Sequence, residues 1–236
     1  MDRTRAASEP GTLYVVATPL GNLKDITLRA LEVLKNSNLI AAEDTRRTQK
    51  LLAAYDLHVP LTSYHEYNKQ AKSRGLIERL LRGEQVGLVT DGGTPGISDP
   101  GQELVRQARE SGIPVVPIPG PSAVACALSV SGMEGGTFVF LGFLPRRRSR
   151  RRRILEEMAA QGRTVVLYES PYRIKKLLSE IKDLLGDIEV FLTRELTKIH
   201  EELLSGTVSQ VLQDLGDKKV LGEITLILAP SEGKTP

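Results

Sequence analysis

The residues most suited to chemistry lie in one segment, TDGGTPGISDPG from Thr90 to Gly101, which follows the apolar run VGLV and precedes the helical pattern QELVRQARESG. That order sets a glycine-rich turn at the carboxyl end of a strand, where open α/β sheets bind ligands. Gly92, Gly93 and Gly96 permit backbone to approach a bound molecule closely. Pro95 and Pro100 restrict the turn's freedom. Asp91, at the strand end, is placed to accept hydrogen bonds from hydroxyls or an ammonium group. The plain alternative is a strand-to-helix connection with Asp99 near the helix start. Twelve residues this rich in glycine and proline favour a bound small molecule instead.

A second chemical signal is the arginine run Arg146, Arg147, Arg148, Arg150, Arg151, Arg152 and Arg153. Ser149 is the expected N-cap of the following helix, whose core stripe is Ile154, Leu155 and Met158. Cations crowded at a helix N-terminus oppose the macrodipole and repel one another, at a few tenths to about 1 kcal/mol each. A polyanion reverses that sign, because free N–H groups and guanidinium forks both favour phosphate. A basic surface loop without a partner is the competing reading. With no Trp and 4% aromatic residues, base-stacking platforms are not expected, so RNA would be held through phosphate and shape.

Elsewhere the residues alone favour structural roles. Glu43, Asp44, Arg46 and Arg47 read as a helix start capped by Asp44 or Thr45 with solvated arginines. Glu169, Arg194, Glu195 and Lys198 read as a strand-end ion-pair network. Cys126, in AVACAL, reads as a small buried residue, and His58, His65 and His200 are too widely spaced for a zinc site.

These groups must be positioned by alternating strands and helices. Apolar β-branched runs recur at TLYVVAT, NLIAAED, QVGLVTD, IPVVPIPG, TFVFLGF, RTVVLYES, IEVFLTRE and GEITLILA, with helical patterns between most of them, which predicts an α/β fold. Leu28, Leu31 and Leu34, and then Leu76, Ile77, Leu80 and Leu81 before Gly83, are expected core stripes. The chain of 236 residues, 40% hydrophobic, is long enough for one or two domains. PIPGPS interrupts both periodicities and marks a boundary, giving domains at 11–119 and 120–230 with tails at 1–10 and 231–236. No run reaches membrane-spanning length and the first residues lack a signal-peptide core, so the chain reads as cytoplasmic. The first strand is followed by TPLGNLKD, with one glycine, which excludes a GxGxxG dinucleotide fingerprint, and no GxxxxGK[ST] loop is present.

Read together, ATPLGNL, TDGGTPGISDPG and PIPGPSA resemble the tetrapyrrole methylase superfamily of S-adenosylmethionine-dependent methyltransferases. AEDTRRTQKLL, SYHEYN, GFLPRRR, YESPYR, TRELTKIHEE and GEITL, in that order, narrow the resemblance to the ribosomal RNA small subunit methyltransferase I family. The resemblance implies two α/β domains with S-adenosylmethionine in the cleft between them. It implies methylation of a ribose 2′-hydroxyl in 16S RNA of the small ribosomal subunit, at cytidine-1402. It also implies a homodimer. Within the same superfamily, a tetrapyrrole (precorrin-type) or protein-modifying methyltransferase is the alternative, against which the arginine run speaks.

Carried over motif by motif, the resemblance implies cofactor contact by Pro19, Asp91, Gly92, Gly93 and Ile97 from the first domain. From the second it implies contact by Ser122, Ala123, Tyr168 and Thr225. Ile97 and Tyr168 would serve equally as core residues. Glu43, Asp44, Arg46 and Arg47 become nucleotide contacts, and His65 either a polar loop residue or a ribose-positioning group. Of Glu43, Asp44 and His65, the imidazole is the expected proton acceptor, histidine ordinarily exchanging a proton near neutral pH. Two motifs depart from the family. Where it reads SDAGTP and SPHR, this chain has TDGGTP and SPYR, and Tyr172 removes any imidazole from that position.

Overall fold

The computed structural model describes residues 9–230, so the expected tails at 1–10 and 231–236 lie outside it except for Glu9 and Pro10. The chain forms two compact units, Met1–Ser122 and Ala123–Pro236.

The first unit alternates strand and helix: β1 (Leu13–Val16), α1 (Leu28–Asn36), β2 (Leu39–Ala42), α2 (Thr45–Ala54), β3 (Leu61–Ser63), α3 (Lys69–Leu81), β4 (Val86–Val89), α4 (Gln102–Glu110) and β5 (Val115–Ile118). Its sheet is ordered β3-β2-β4-β1-β5, with every pairing parallel. Alternate residues of each strand point to opposite faces, as the pleat requires. Leu13, Ala41, Val86 and Leu88 pack beneath Leu76, Leu80 and Leu104 of α3 and α4. Val16, Ile40, Ala42 and Val89 pack with Ala30, Leu34, Leu51 and Leu52 of α1 and α2. Helices on both faces explain why these strands read as continuous apolar runs.

Two expected stripes need correction. Leu28 is 86% exposed and Leu81 47% exposed, so neither belongs to the core. At about 100° per residue, Leu28 lies on the side of α1 opposite Ala30 and Leu34, and Leu81 on the flank of the Leu76–Leu80 stripe.

The second unit contains α5 (Ala123–Ser131), β6 (Phe138–Phe143), α6 (Arg148–Ala159), β7 (Thr164–Glu169), α7 (Ile174–Leu185), β8 (Glu189–Arg194), β9 (Glu202–Thr207), α8 (Val208–Leu215) and β10 (Ile224–Leu228). Its sheet is mixed, ordered β6-β7-β10-β8-β9. β6 and β7 are parallel, whereas β10 runs antiparallel to both β7 and β8. One face packs Leu155, Leu177, Leu178, Ile181 and Val211 of α6, α7 and α8. The other packs Val124 and Ala127 of α5 against Val166, Phe191 and Ile227.

β3 and β9 were not among the expected strands. β3 is three residues, LTS, too short to show a period, and β9, ELLSGT, is an edge strand of mixed polarity. Cys126 is half-buried, not enclosed.

Candidate active site

In the first unit, the chain leaves β1 towards β2 on one side of the sheet and leaves β4 towards β5 on the other. The carboxyl ends of β1 and β4 are therefore the topological switch point, where doubly wound sheets open a ligand crevice. The glycine-rich turn after β4 and the ATPLGNL loop after β1 meet there. Thr18 and Gly93 exchange both backbone hydrogen bonds, each 2.9 Å. Thr18 Oγ1 donates to Thr90 O at 3.0 Å. A β-carbon at Gly92 would lie 3.1 Å from Pro19 O, and Gly93 holds a φ of +89° with space around it. The turn is thus closed by backbone contacts that glycine alone admits without adjustment. Thr90 Oγ1 is buried there with no hydrogen-bond partner.

Beside the turn, two carboxylates tie the end of β2 to the end of β4 through backbone N–H groups. The Asp44 N–H donates to Asp91 Oδ1 at 3.0 Å, and the Asp91 N–H donates to Glu43 Oε2 at 3.3 Å. Arg47 Nε stands 3.5 Å from Asp91 Oδ2. Burial, reinforced by the Asp91 charge, pushes the Glu43 carboxyl above the usual glutamate range against the pull of the Asp91 N–H, Arg47 and His65. Asp44 goes the opposite way. Its hydrogen bonds to the Arg46 side chain and backbone hold it far below the usual aspartate range. Two adjacent carboxyls driven apart in this manner can take separate roles, one fixed as an anion and one able to hold a proton.

Asp44 is also the N-cap of α2, accepting from the Arg46 N–H at 2.9 Å. Arg46 folds back on it, Nη2 to Oδ2 at 2.7 Å. The capping reading is therefore correct as far as it goes, and Arg46 is already paired.

His65 follows β3. Asn68 Oδ1 accepts from the His65 backbone N–H at 2.8 Å, so the Asn68 amide nitrogen faces Nε2 and donates to it at 3.1 Å. A neutral imidazole so engaged carries its proton on Nδ1. Nδ1 is buried without a partner, and the ring's accepting lone pair is taken. This geometry suits a positioning group better than a proton acceptor.

Ile97, 47% exposed, lines an open cavity of about 780 Å³ with Pro95, Gly96, Val105, Ile113 and Val115. Of the residues expected to contact cofactor, Pro19, Asp91, Gly92 and Gly93 come together. Ser122 ends the first unit.

In the second unit, Ala123 opens α5, and Tyr168 pairs across the sheet with Thr225. Both lie on the α5 face, where the Tyr168 ring meets Phe140 at 4.9 Å and Phe143 at 5.6 Å between centroids. The strand-end charges pair as expected, in separate groups. Glu169 lies 3.0 Å from Arg173, Arg194 bonds Glu202, and Lys198 bridges Glu195 and Glu223.

The arginine run departs from expectation. α6 begins at Arg148 with Arg147 as N-cap, so Ser149 lies inside the helix. Arg151 is 6% exposed and bonds Glu180 through Nε and Nη2, so it is not available to RNA. Arg152 pairs with Glu156 and Arg153 with Glu157 one turn on. Arg146, Arg147, Arg150 and Arg153 line a cavity of about 560 Å³. Asn68 lay within the quoted SYHEYN motif without being singled out. Glu180 gave no local signal, being 29 residues from its partner.

Among the described residues, no helix is long and apolar enough to cross a membrane, and no cluster of three His, Cys, Asp or Glu side chains is arranged to hold a metal.

Residues 12–212 match the family model of the tetrapyrrole (corrin/porphyrin) methylases. The chain is 47% identical over 220 residues to ribosomal RNA small subunit methyltransferase I of Halalkalibacterium halodurans, covering 93% of this chain and 76% of that protein. The Thermotoga maritima protein of the same name is 46% identical over 222 residues, covering 94% of this chain and all of the relative. Among solved structures, a uroporphyrin-III C-methyltransferase from Thermus thermophilus superposes with a TM-score of 0.64, at 20% identity over 94% of this chain and 95% of its own. At that identity the likeness shows the fold.

Proposed function

The chain belongs to the tetrapyrrole methylases and, within them, to the ribosomal RNA small subunit methyltransferase I family; from that premise we propose that it transfers a methyl group from S-adenosylmethionine to the 2′-hydroxyl of a cytidine in small-subunit ribosomal RNA. The observation that carries the proposal is the coincidence, at one switch point, of a glycine turn closed on the β1 loop and an acidic cluster with divided protonation behaviour.

The residues present fit the cofactor. The Gly92–Gly93 backbone and Asp91 suit its charged amino-acid end, Thr90 Oγ1 is a buried polar atom in want of a partner, and Pro19 and Ile97 offer apolar surface. In the second unit we assign cofactor contact to Ala123, Tyr168 and Thr225. When bound, S-adenosylmethionine supplies a methyl group on a sulfonium, already activated for transfer. What remains for the chain is alignment of the ribose oxygen and disposal of its proton.

Glu43 takes that proton in this reading, because its environment favours the protonated form more than an ordinary glutamate's does. Asp44, held anionic, and Arg47 orient the nucleotide, and His65, fixed by Asn68, positions the ribose. Arginines of the 146–153 run hold the RNA backbone. An arginine surface of this kind suits the repeated phosphates of an RNA substrate and has no counterpart in a single protein side chain.

The experiment is transfer of labelled methyl to small ribosomal subunits, to free 16S RNA and to a tetrapyrrole mixture. Label in ribosomal RNA alone supports the proposal, and label in the tetrapyrroles overturns it. We further propose a homodimer, as the superfamily resemblance implies. Sedimentation showing only a 25.9 kDa species at micromolar concentration would refute that.

A further inference from the structure

The arginine run is not one surface. Arg151 has five N–H donors, and all three of its nitrogens are engaged within the protein. Nε and Nη2 bond the Glu180 carboxylate at 2.6 to 2.8 Å, while Nη1 donates to Pro145 O at 2.9 Å and Arg146 O at 3.1 Å. The side chains of Arg151 and Glu180 are 7% and 13% exposed. A guanidinium so enclosed and already paired with a carboxylate is closed to a phosphate. What it does hold is the turn before α6, through two consecutive carbonyls, and it ties that turn to α7.

Arg146, Arg147 and Arg150 differ in kind. Among the described residues none forms an ion pair, and they line the 560 Å³ cavity beside that turn. Three free guanidiniums around one concavity repel one another, so something must keep them there when no anion is bound.

We propose that Arg151, locked to Glu180, is a positioning residue that pins the 145–147 turn, and that Arg146, Arg147 and Arg150 form the cradle that grips RNA phosphates. The inference rests on the RNA reading above and divides the run by task. With Arg148 Nε 3.9 Å from Glu180, and Arg152 and Arg153 paired along the helix, it lowers the number of phosphate contacts from seven to three. At about −0.7 per contact for single strands, the run then contributes roughly −2 to the slope of log K against log salt, where seven contacts would give about −5.

The test measures binding of a 16S RNA transcript across a salt series. Arg146→Ser/Arg147→Ser/Arg150→Ser is expected to flatten the slope by about 2. An unchanged slope would place the run off the RNA path and would remove the interface assignment itself. The double variant Arg151→Met/Glu180→Leu exchanges a buried ion pair for apolar bulk, a change that proteins commonly tolerate, and leaves the net charge unaltered. It is expected to melt as a folded protein and keep the wild-type slope. Its affinity should fall roughly three- to tenfold, the cost of ordering one long side chain that was previously held. A slope lower by about 0.7 would show Arg151 to be a direct phosphate ligand, and wild-type affinity would show that the anchor does nothing. Either result overturns the proposal while leaving the RNA reading intact. Should the double variant not fold, Arg151→Lys gives the same readout, because it keeps the charge opposite Glu180 but cannot span the carboxylate and both carbonyls.

Discussion

Gly93→Ala probes the switch-point turn directly. Gly93 holds a φ of +89°, and a β-carbon there would meet only Leu20 Cδ2 at 3.5 Å and Pro121 O at 3.9 Å, both ordinary contacts. Steric overlap is therefore not the cost. Keeping the left-handed backbone with an alanine costs about 1–2 kcal/mol. Abandoning it gives up the paired bonds to Thr18, worth about 1 kcal/mol each. The two routes cost nearly the same, so the free variant divides between closed and open turns, and a ligand that needs the closed turn must draw the open fraction back. With the two forms about equally populated, S-adenosylmethionine binds roughly twofold more weakly. The main loss, about 1–2 kcal/mol by either route, falls on folding and lowers the melting temperature by roughly 2–8 °C. Gly92→Ala is the control. Its β-carbon would sit 3.1 Å from Pro19 O, a displacement of tenths of an ångström, and the resembled family carries alanine at this position. Its titration curve should lie close to that of the wild type. Isothermal titration and thermal melting of both variants decide the matter. Wild-type affinity in Gly93→Ala, or equal loss in the two, would refute the assignment of this turn to the cofactor.

Glu43→Gln keeps an acceptor for the Asp91 N–H but cannot take a proton, so single-turnover methylation should fall by about a hundredfold or more, whereas His65→Ala, removing a positioning group, should lose only a few-fold; the reverse order would return the proton to His65. Because burial raises the Glu43 pKa in the folded state, the stability it contributes is present below the ordinary glutamate pKa and lost as pH rises through the folded value. Melting curves should accordingly find Glu43→Gln more stable than wild type at neutral pH, with the difference vanishing in acid. Glu169, 2% exposed, is raised by burial and restrained by the Ser170 N–H and Arg173. Arg173→Ala should cost about 3 kcal/mol at neutral pH, less once acid protonates Glu169; a loss independent of pH would mean that packing, not charge, is what Arg173 supplies.

The sequence displayed eight strands of the described residues because each is a continuous or alternating apolar run, and a parallel sheet covered on both faces needs such runs. It displayed the turn after β4 because glycine and proline are visible one residue at a time. What it concealed depends on partners distant in the chain. Leu28 and Leu34 have the same composition signal and opposite fates, decided by which side of α1 meets the sheet. Arg151 is indistinguishable in sequence from Arg150, and only the packing of α6 against α7 brings Glu180 to it. The Glu43–Asp91 clasp likewise joins residues 48 apart, through the adjacency of β2 and β4 in the sheet.

Ribose methylation of small-subunit RNA, as proposed, leaves a product with its own signature. A 2′-O-methyl group blocks alkaline cleavage of the adjoining phosphodiester, because the attacking hydroxyl is gone. Small subunits methylated by the purified protein with labelled S-adenosylmethionine are digested in alkali and the labelled fragment is identified. The expected product is a single alkali-resistant dinucleotide whose 5′ member is 2′-O-methylcytidine. Label recovered only in alkali-sensitive mononucleotides, which would put the methyl group on a base, would contradict it.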